Sequence, residues 1–113
     1  MISASYLRLW LSAFLFTQLI EMPIYRRGLG VSWLAAFGAT ALTHPIVWFV
    51  IFHRGVRADY TTKAIVAELF AWLAEAAYFY WCFGRRKALF WALVANAASV
   101  ALGLISRALF GAP

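Results

Sequence analysis

The feature that limits this chain most is a set of four apolar stretches, each about twenty residues long, with only short breaks between them. A helix that crosses the hydrocarbon core of a bilayer needs about 20 mostly apolar residues. The stretches fall at about 6–24, 31–52, 61–83 and 88–110 of the 113 residues. Between them lie Tyr25-Arg26-Arg27-Gly28-Leu29-Gly30, His53-Arg54-Gly55-Val56-Arg57-Ala58-Asp59-Tyr60 and Gly84-Arg85-Arg86-Lys87. Each break couples glycine with basic side chains, which stop the helix and anchor it among lipid headgroups. Loops this short force neighbouring helices to run antiparallel. The expected fold is therefore an all-α integral membrane protein: a four-helix, up-down-up-down transmembrane bundle forming a single domain over 1–113. No internal repeat, low-complexity tract or second domain is visible.

Composition narrows the function classes. Hydrophobic residues make up 65% of the chain and charged residues 12%, half the ~25% of a soluble domain. So few charges exclude an ordinary soluble globule and a disordered chain. The net charge of +6 invites a nucleic-acid reading. However, the basic residues cluster between apolar runs, as membrane loops do, so the expected partner is the lipid bilayer and not nucleic acid. The expected location is an inner or plasma membrane, crossed several times. The single Cys82 excludes both a disulfide framework and a thiolate metal cluster.

The first stretch follows Arg8 and has the outline of a signal peptide. It leads into Glu21-Met22-Pro23-Ile24-Tyr25 without a small-residue cleavage site, so a retained helix is expected. Orientation is nearly balanced. Arg26, Arg27, Arg85, Arg86 and Lys87 face one side, and Arg54, Arg57, Lys63, Arg8 and Arg107 the other. The compact clusters favour the Arg26 and Arg85 loops for the cytoplasm. Tyr25, Tyr60, Tyr78, Tyr80 and Trp81 lie toward the ends of the stretches, where amphipathic rings form an interfacial belt.

The polar residues carry the functional information. Three of the four acids, Glu21, Glu68 and Glu75, fall inside apolar stretches, and only Asp59 lies in a loop. A carboxylate in hydrocarbon costs several kcal/mol, so it faces the bundle interior, pairs, or lines a wet path. Measured from the Arg26 and Arg85 side, Glu75 and Asn96 come at a depth of about 12 Å, with Thr40 beside them and Gln18 slightly shallower. A second layer at about 20–24 Å holds His44, Glu68 and Arg8. Glu68 and Glu75 are seven residues apart and share a helix face, separated by about 10.5 Å. Asn96, Ser99, Gly103 and Ser106 form one small, polar stripe suited to close helix packing. Thr43 can bond back to a helix carbonyl, and Pro45 removes a donor and bends its helix.

These positions suggest roles. Glu68 and Arg8 are expected to form an intramembrane ion pair. Glu75 has no cation at its level and is the main candidate for binding a proton or cation, with Asn96 orienting it and Thr40 beside it. Glu68 and His44 make a second station, because histidine titrates near neutrality and carboxylate–histidine chains are the usual proton relay. Glu21 is expected at the mouth, snorkelling or paired with Arg26. His44, Glu68 and Glu75 would be the ligands if a divalent metal were bound, since imidazole with carboxylates suits zinc, iron or manganese. Nucleophilic catalysis has little support: Ser99 and Ser106 lie on the packing stripe, with no nucleophile elbow or oxyanion loop. The leading expectation is a small transporter or channel-like protein that moves a proton or cation. The alternatives are an accessory subunit of a larger membrane complex and, third, an intramembrane metal-dependent enzyme. Four short helices leave little room for a private pore, so a homo-oligomer or a membrane-protein partner is implied.

Overall fold

The computed structural model describes residues 3–55 and 59–111. Arg57, counted in the charge balance, lies outside the described residues, as do the side chains of His53, Arg54 and Tyr60. The described chain is helical: α1 (Ala4–Leu29), α2 (Trp33–Ile46), α3 (Tyr60–Ala77) and α4 (Ala88–Phe110). A π-helical segment, Val47–Gly55, prolongs α2, and a shorter one, Tyr78–Cys82, prolongs α3. Four helical stretches are long and apolar enough to cross a membrane: Ala4–Leu29, Trp33–Phe52, Thr61–Cys82 and Ala88–Phe110.

Local chemistry sets the ends. The side chains of Ser3, Ser32 and Asp59 accept the backbone N–H groups of Tyr6, Ala35 and Thr62, closing the first turns of α1, α2 and α3. Gly30 ends α1 at φ 66°, a left-handed conformation that costs glycine least. The backbone N–H and hydroxyl of Thr62 hold the Asp59 carboxyl below its ordinary range. Its contribution to the cap is present above the ordinary aspartate range and is lost as pH falls through the lowered value.

Two boundaries depart from the pattern read in the sequence. α1 was expected to stop near residue 24, but it runs through Pro23 to Leu29. Proline withholds only the N–H that would meet the Leu19 carbonyl, and the flanking turns continue. The extension adds about 7.5 Å of helix beyond residue 24. In α2 the expected bend at Pro45 is a change of helix type, with the α-helix giving way to the π-helical turn at Val47. There the Val47 N–H is shared between the carbonyls of His44 and Thr43.

The packing is inside-out relative to a soluble domain. α1 lies against α2 and α4, and α3 against α2 and α4, closing a ring of four. Alanines dominate the interior, among them Ala36, Ala39, Ala92 and Ala95, with Tyr25 and Phe79 beside them. Leu19, Leu34, Trp81 and Phe110 are each more than three-quarters exposed. Small residues inside let backbones approach closely, as membrane helix interfaces require. On the α2–α3 seam, the Tyr78 hydroxyl donates to Ala35 O at 2.9 Å and passes directly over Gly38, where a Cβ would collide with it. On the α1–α4 seam, the Trp91 indole occupies the space a Cβ at Gly28 would need.

The Gly38 contact predicts a coupled pair. Gly38→Ala is expected to destabilise the fold by about 1–3 kcal/mol through overpacking. Adding Tyr78→Phe, which removes the obstructing hydroxyl, should recover part of that loss, so the two changes are non-additive in a detergent unfolding cycle. Additive losses would show that the hydroxyl does not fill the glycine's space. At the α3 cap, acidification is expected to speed exchange of the Thr62 amide, and Asp59→Asn to remove that pH dependence.

Candidate functional site

α1 presents Trp10, Phe14, Gln18, Glu21 and Tyr25 at spacings of three and four, the period of one helix face. Phe14, Gln18, Glu21 and Tyr25 are buried. Glu21 and Tyr25 meet a group formed by Thr40 and Thr43 of α2, Glu75 of α3, and Asn96 and Ser99 of α4. Glu21 and Glu75 are each 1% exposed, and they form the centre of a network to which every helix contributes. Thr40 donates to Glu21 Oε1 at 2.8 Å and Ser99 to Glu21 Oε2 at 2.7 Å. Thr43 donates to Glu75 Oε2 at 2.6 Å, Asn96 Nδ2 to Glu75 Oε1 at 3.2 Å, and the Tyr25 hydroxyl also donates to Oε1. The second N–H of Asn96 is taken by Ala92 O at 2.8 Å.

Glu21 and Glu75 are neighbours in this network: Thr40 and Thr43, three residues apart on α2, reach one each, as do Ser99 and Asn96 on α4. Burying two unpaired carboxylates together is costly. Among the described residues no cation lies in ion-pairing reach of either group, and the donors around them are all neutral. A buried, acid-rich site without a base is completed by a proton or a cation.

A cavity of about 570 Å³ reaches this acid pair, with walls from all four helices. It runs from Tyr6, Ala64 and Arg107, near the ends of their helices, to Glu21, Glu75 and Asn96. Glu68 and Arg107 line it and remain exposed, so the cavity is open along that part.

The structure brings together part of the expected set. Glu75 and Asn96 meet, and Glu68 lines the same cavity as Glu75, in keeping with their seven-residue spacing. Thr40 is at that level, but its hydroxyl serves Glu21 and not Glu75. Gln18 turns instead to Phe37 O at 3.0 Å. Thr43 has the expected back-bond geometry to Ala39 O at 3.3 Å, although its shorter contact is Glu75. His44 lines the cavity among Trp10, Phe14 and Trp48, with ring centroids 6.4, 5.6 and 5.9 Å away, and its Nδ1 is buried without a partner. His44, Glu68 and Glu75 share the cavity wall but do not converge, and no group of three potential metal ligands occurs among the described residues.

Three readings are corrected. Arg8 is exposed, does not line the cavity and makes no ion pair with Glu68. It lies two residues before Trp10, which turns it about 200° away from the inward stripe. Glu21 is not at the mouth and does not pair with Arg26. The longer α1 carries it inside, while the Arg26 guanidinium sits 5.0 Å over the Trp33 ring. Tyr25 is not in an interfacial belt, being fully buried as a ligand of Glu75, whereas Tyr80 and Trp81 are exposed as expected. Glu21, Tyr25, Thr43 and Ser99 are therefore the site residues the sequence reading missed. The spacing 18, 21, 25 was the available signal, and a helix ended near residue 24 hides it.

No protein family, curated protein or solved structure matches this chain.

The network makes a stability prediction. Tyr25→Phe removes one of two donors to Glu75 Oε1 and leaves a buried acceptor underused, at an expected cost of about 1–3 kcal/mol. Tyr80→Phe, on the exposed side of the same aromatic region, should stay within about 0.5 kcal/mol. Equal effects in a reversible detergent unfolding assay would remove the Tyr25–Glu75 contact from the account.

Proposed function

We propose that the chain is an integral membrane protein with an up-down-up-down course, and that it passes a proton or small cation through the Glu21–Glu75 pair. The observation that carries this reading is a pair of neighbouring buried carboxyl groups, held by five neutral donors, at the end of an open cavity. A proton or cation taken up by the pair neutralises buried charge without breaking a packed core, and the cavity gives ions and water a route to it. Glu75 is the main binding carboxylate and Glu21 its partner, with Asn96 and Thr40 orienting the pair. Glu68 and His44, farther along the cavity wall, form an outer station. This makes the protein a small transporter or channel-like protein.

Membrane insertion is supported by the four apolar helices and by the outward leucine, phenylalanine and tryptophan side chains. The long dimension of 37 Å suits a hydrocarbon core of about 30 Å. The antiparallel course is supported by the pairings themselves: Tyr6 meets Trp48 and, farther along α1, Gln18 meets Phe37, so positions rise along the first helix as they fall along the second. Because four helices enclose one short cavity, a homo-oligomer is the working unit.

Reconstitution into liposomes with a pH-sensitive dye tests the reading. The wild-type protein is expected to dissipate an imposed pH gradient, and Glu21→Gln with Glu75→Gln to lower the rate about tenfold or more, with Glu68→Gln in between. Variants are to be compared at equal helicity and equal reconstituted amount. Wild-type flux no faster than that of empty liposomes, together with a foreign subunit in the native mass spectrum, would replace this proposal with the accessory-subunit reading.

A further inference from the structure

The cavity is far larger than a proton path needs. At about 570 Å³ it falls within the 300–1,000 Å³ typical of small-molecule sites, and such sites combine apolar walls with a few polar groups that fix orientation. Here the walls include Phe16, Trp48 and Phe52, and the polar groups gather at the Glu21–Glu75 end. Among the described residues the charges lining the cavity are unequal: carboxyls from Glu21, Glu75 and Glu68 against a single guanidinium from Arg107. His44 adds a second polar feature in the same wall, an Nδ1 that is buried and has no partner.

We propose that the cavity binds an organic ammonium ion, whose nitrogen settles between Glu21 and Glu75 in exchange for a proton carried by the pair. The apolar body lies along Phe16, Trp48 and Phe52. This rests on the reading of the acid pair as a proton or cation site and names the class of cation.

Charge and hydrogen bonds balance. One positive charge enters as the ammonium and one leaves as the proton, so the pair keeps the same net charge. Each carboxylate offers about four lone-pair sites. The donors occupy two positions on Glu21 and three on Glu75, which leaves acceptors for the N–H groups of an ammonium. Trp48 lines the wall, and cation–π attraction is strongest for indole among the aromatic rings. A metal ion would use the acid pair but leave the aromatic wall without a role. Tyr25, Glu68, His44 and Arg107 are the other titratable or charged groups around the site. None is a base in contact with the pair.

The test is calorimetry on the wild-type protein in nanodiscs, with 1-adamantylammonium as the probe and 1-adamantanol as its uncharged isostere. Saturable binding of one ammonium per chain is expected, with the alcohol about tenfold weaker or more. Titration in buffers of different ionisation enthalpy should show about one proton released per ammonium bound, so affinity rises about tenfold per pH unit while the pair holds its proton. Glu75→Gln should weaken the ammonium about tenfold and leave the alcohol unchanged. Equal binding of alcohol and ammonium, or binding without proton release, overturns the inference. Both measurements use the wild-type chain, so a variant that fails to fold does not decide the matter. Proton flux in liposomes with no ammonium binding overturns this inference and leaves the proposed function standing. Ammonium binding with proton release but no flux supports the site and overturns the passage of ions through it.

Discussion

Everything in this bundle is arranged around two carboxyl groups that have no base to neutralise them. An isolated ionised carboxylate in a low-dielectric interior is very costly, and a neutral one still needs its hydrogen bonds. The chain meets that requirement with hydroxyls and an amide drawn from every helix. Thr40 and Ser99 tie α2 and α4 to Glu21 on α1, and Tyr25, Thr43 and Asn96 tie α1, α2 and α4 to Glu75 on α3. A shift of any helix by one turn would break at least one of these bonds. The network that makes the site therefore also fixes helix register, and the alanine-rich surroundings, with few shape-specific side chains, leave that task to it.

The outer surface follows from the same economy of side chains. With bulky residues turned outward, the interior is built of alanine and of polar groups small enough to bond across it. Close approach is then limited by a few larger side chains set against glycine, Tyr78 over Gly38 and Trp91 over Gly28. Both contacts lie toward the Arg26 and Arg85 turns. At the other side of the acid pair, Phe16, Trp48 and Phe52 line the open cavity. Hence the cavity extends from one side of the pair only.

Much of this was legible in the sequence. The four helices were marked by apolar stretches and basic, glycine-containing breaks, and α4 occupies 88–110 as read. Glu75 with Asn96 followed from depth along the helices, and Glu68 with Glu75 from the seven-residue spacing. The errors have one main origin. Tyr25-Arg26-Arg27-Gly28-Leu29-Gly30 was read as a break, which ended α1 early and placed Glu21 and Tyr25 at an interface they do not reach. Basic residues and a glycine also suit the last turn of a helix, as Arg26, Arg27 and Gly28 do here before the left-handed cap at Gly30, and composition alone does not separate the two. The Arg8–Glu68 pair failed differently. Depth was matched, but rotation about the helix axis was not checked against the 10, 14, 18, 21, 25 stripe.

That stripe also shows what passage across the bundle would demand. On the far side of the acid pair from the cavity, Tyr25 and Phe79 are fully buried, with ring centroids 4.4 Å apart, and Ala88, Ala92 and Ala95 close around them. The Tyr25 hydroxyl is itself a donor to Glu75. A proton or cation leaving toward the Arg26 side must therefore displace the ring that helps to hold the carboxyl group, and release and opening become one event. Loading from the cavity needs no such movement. The proposed function thus has an asymmetric barrier, low on the side of the open cavity and high where Tyr25 packs against Phe79. The element that would move is the last part of α1, beyond Pro23, where the helix already lacks one backbone bond.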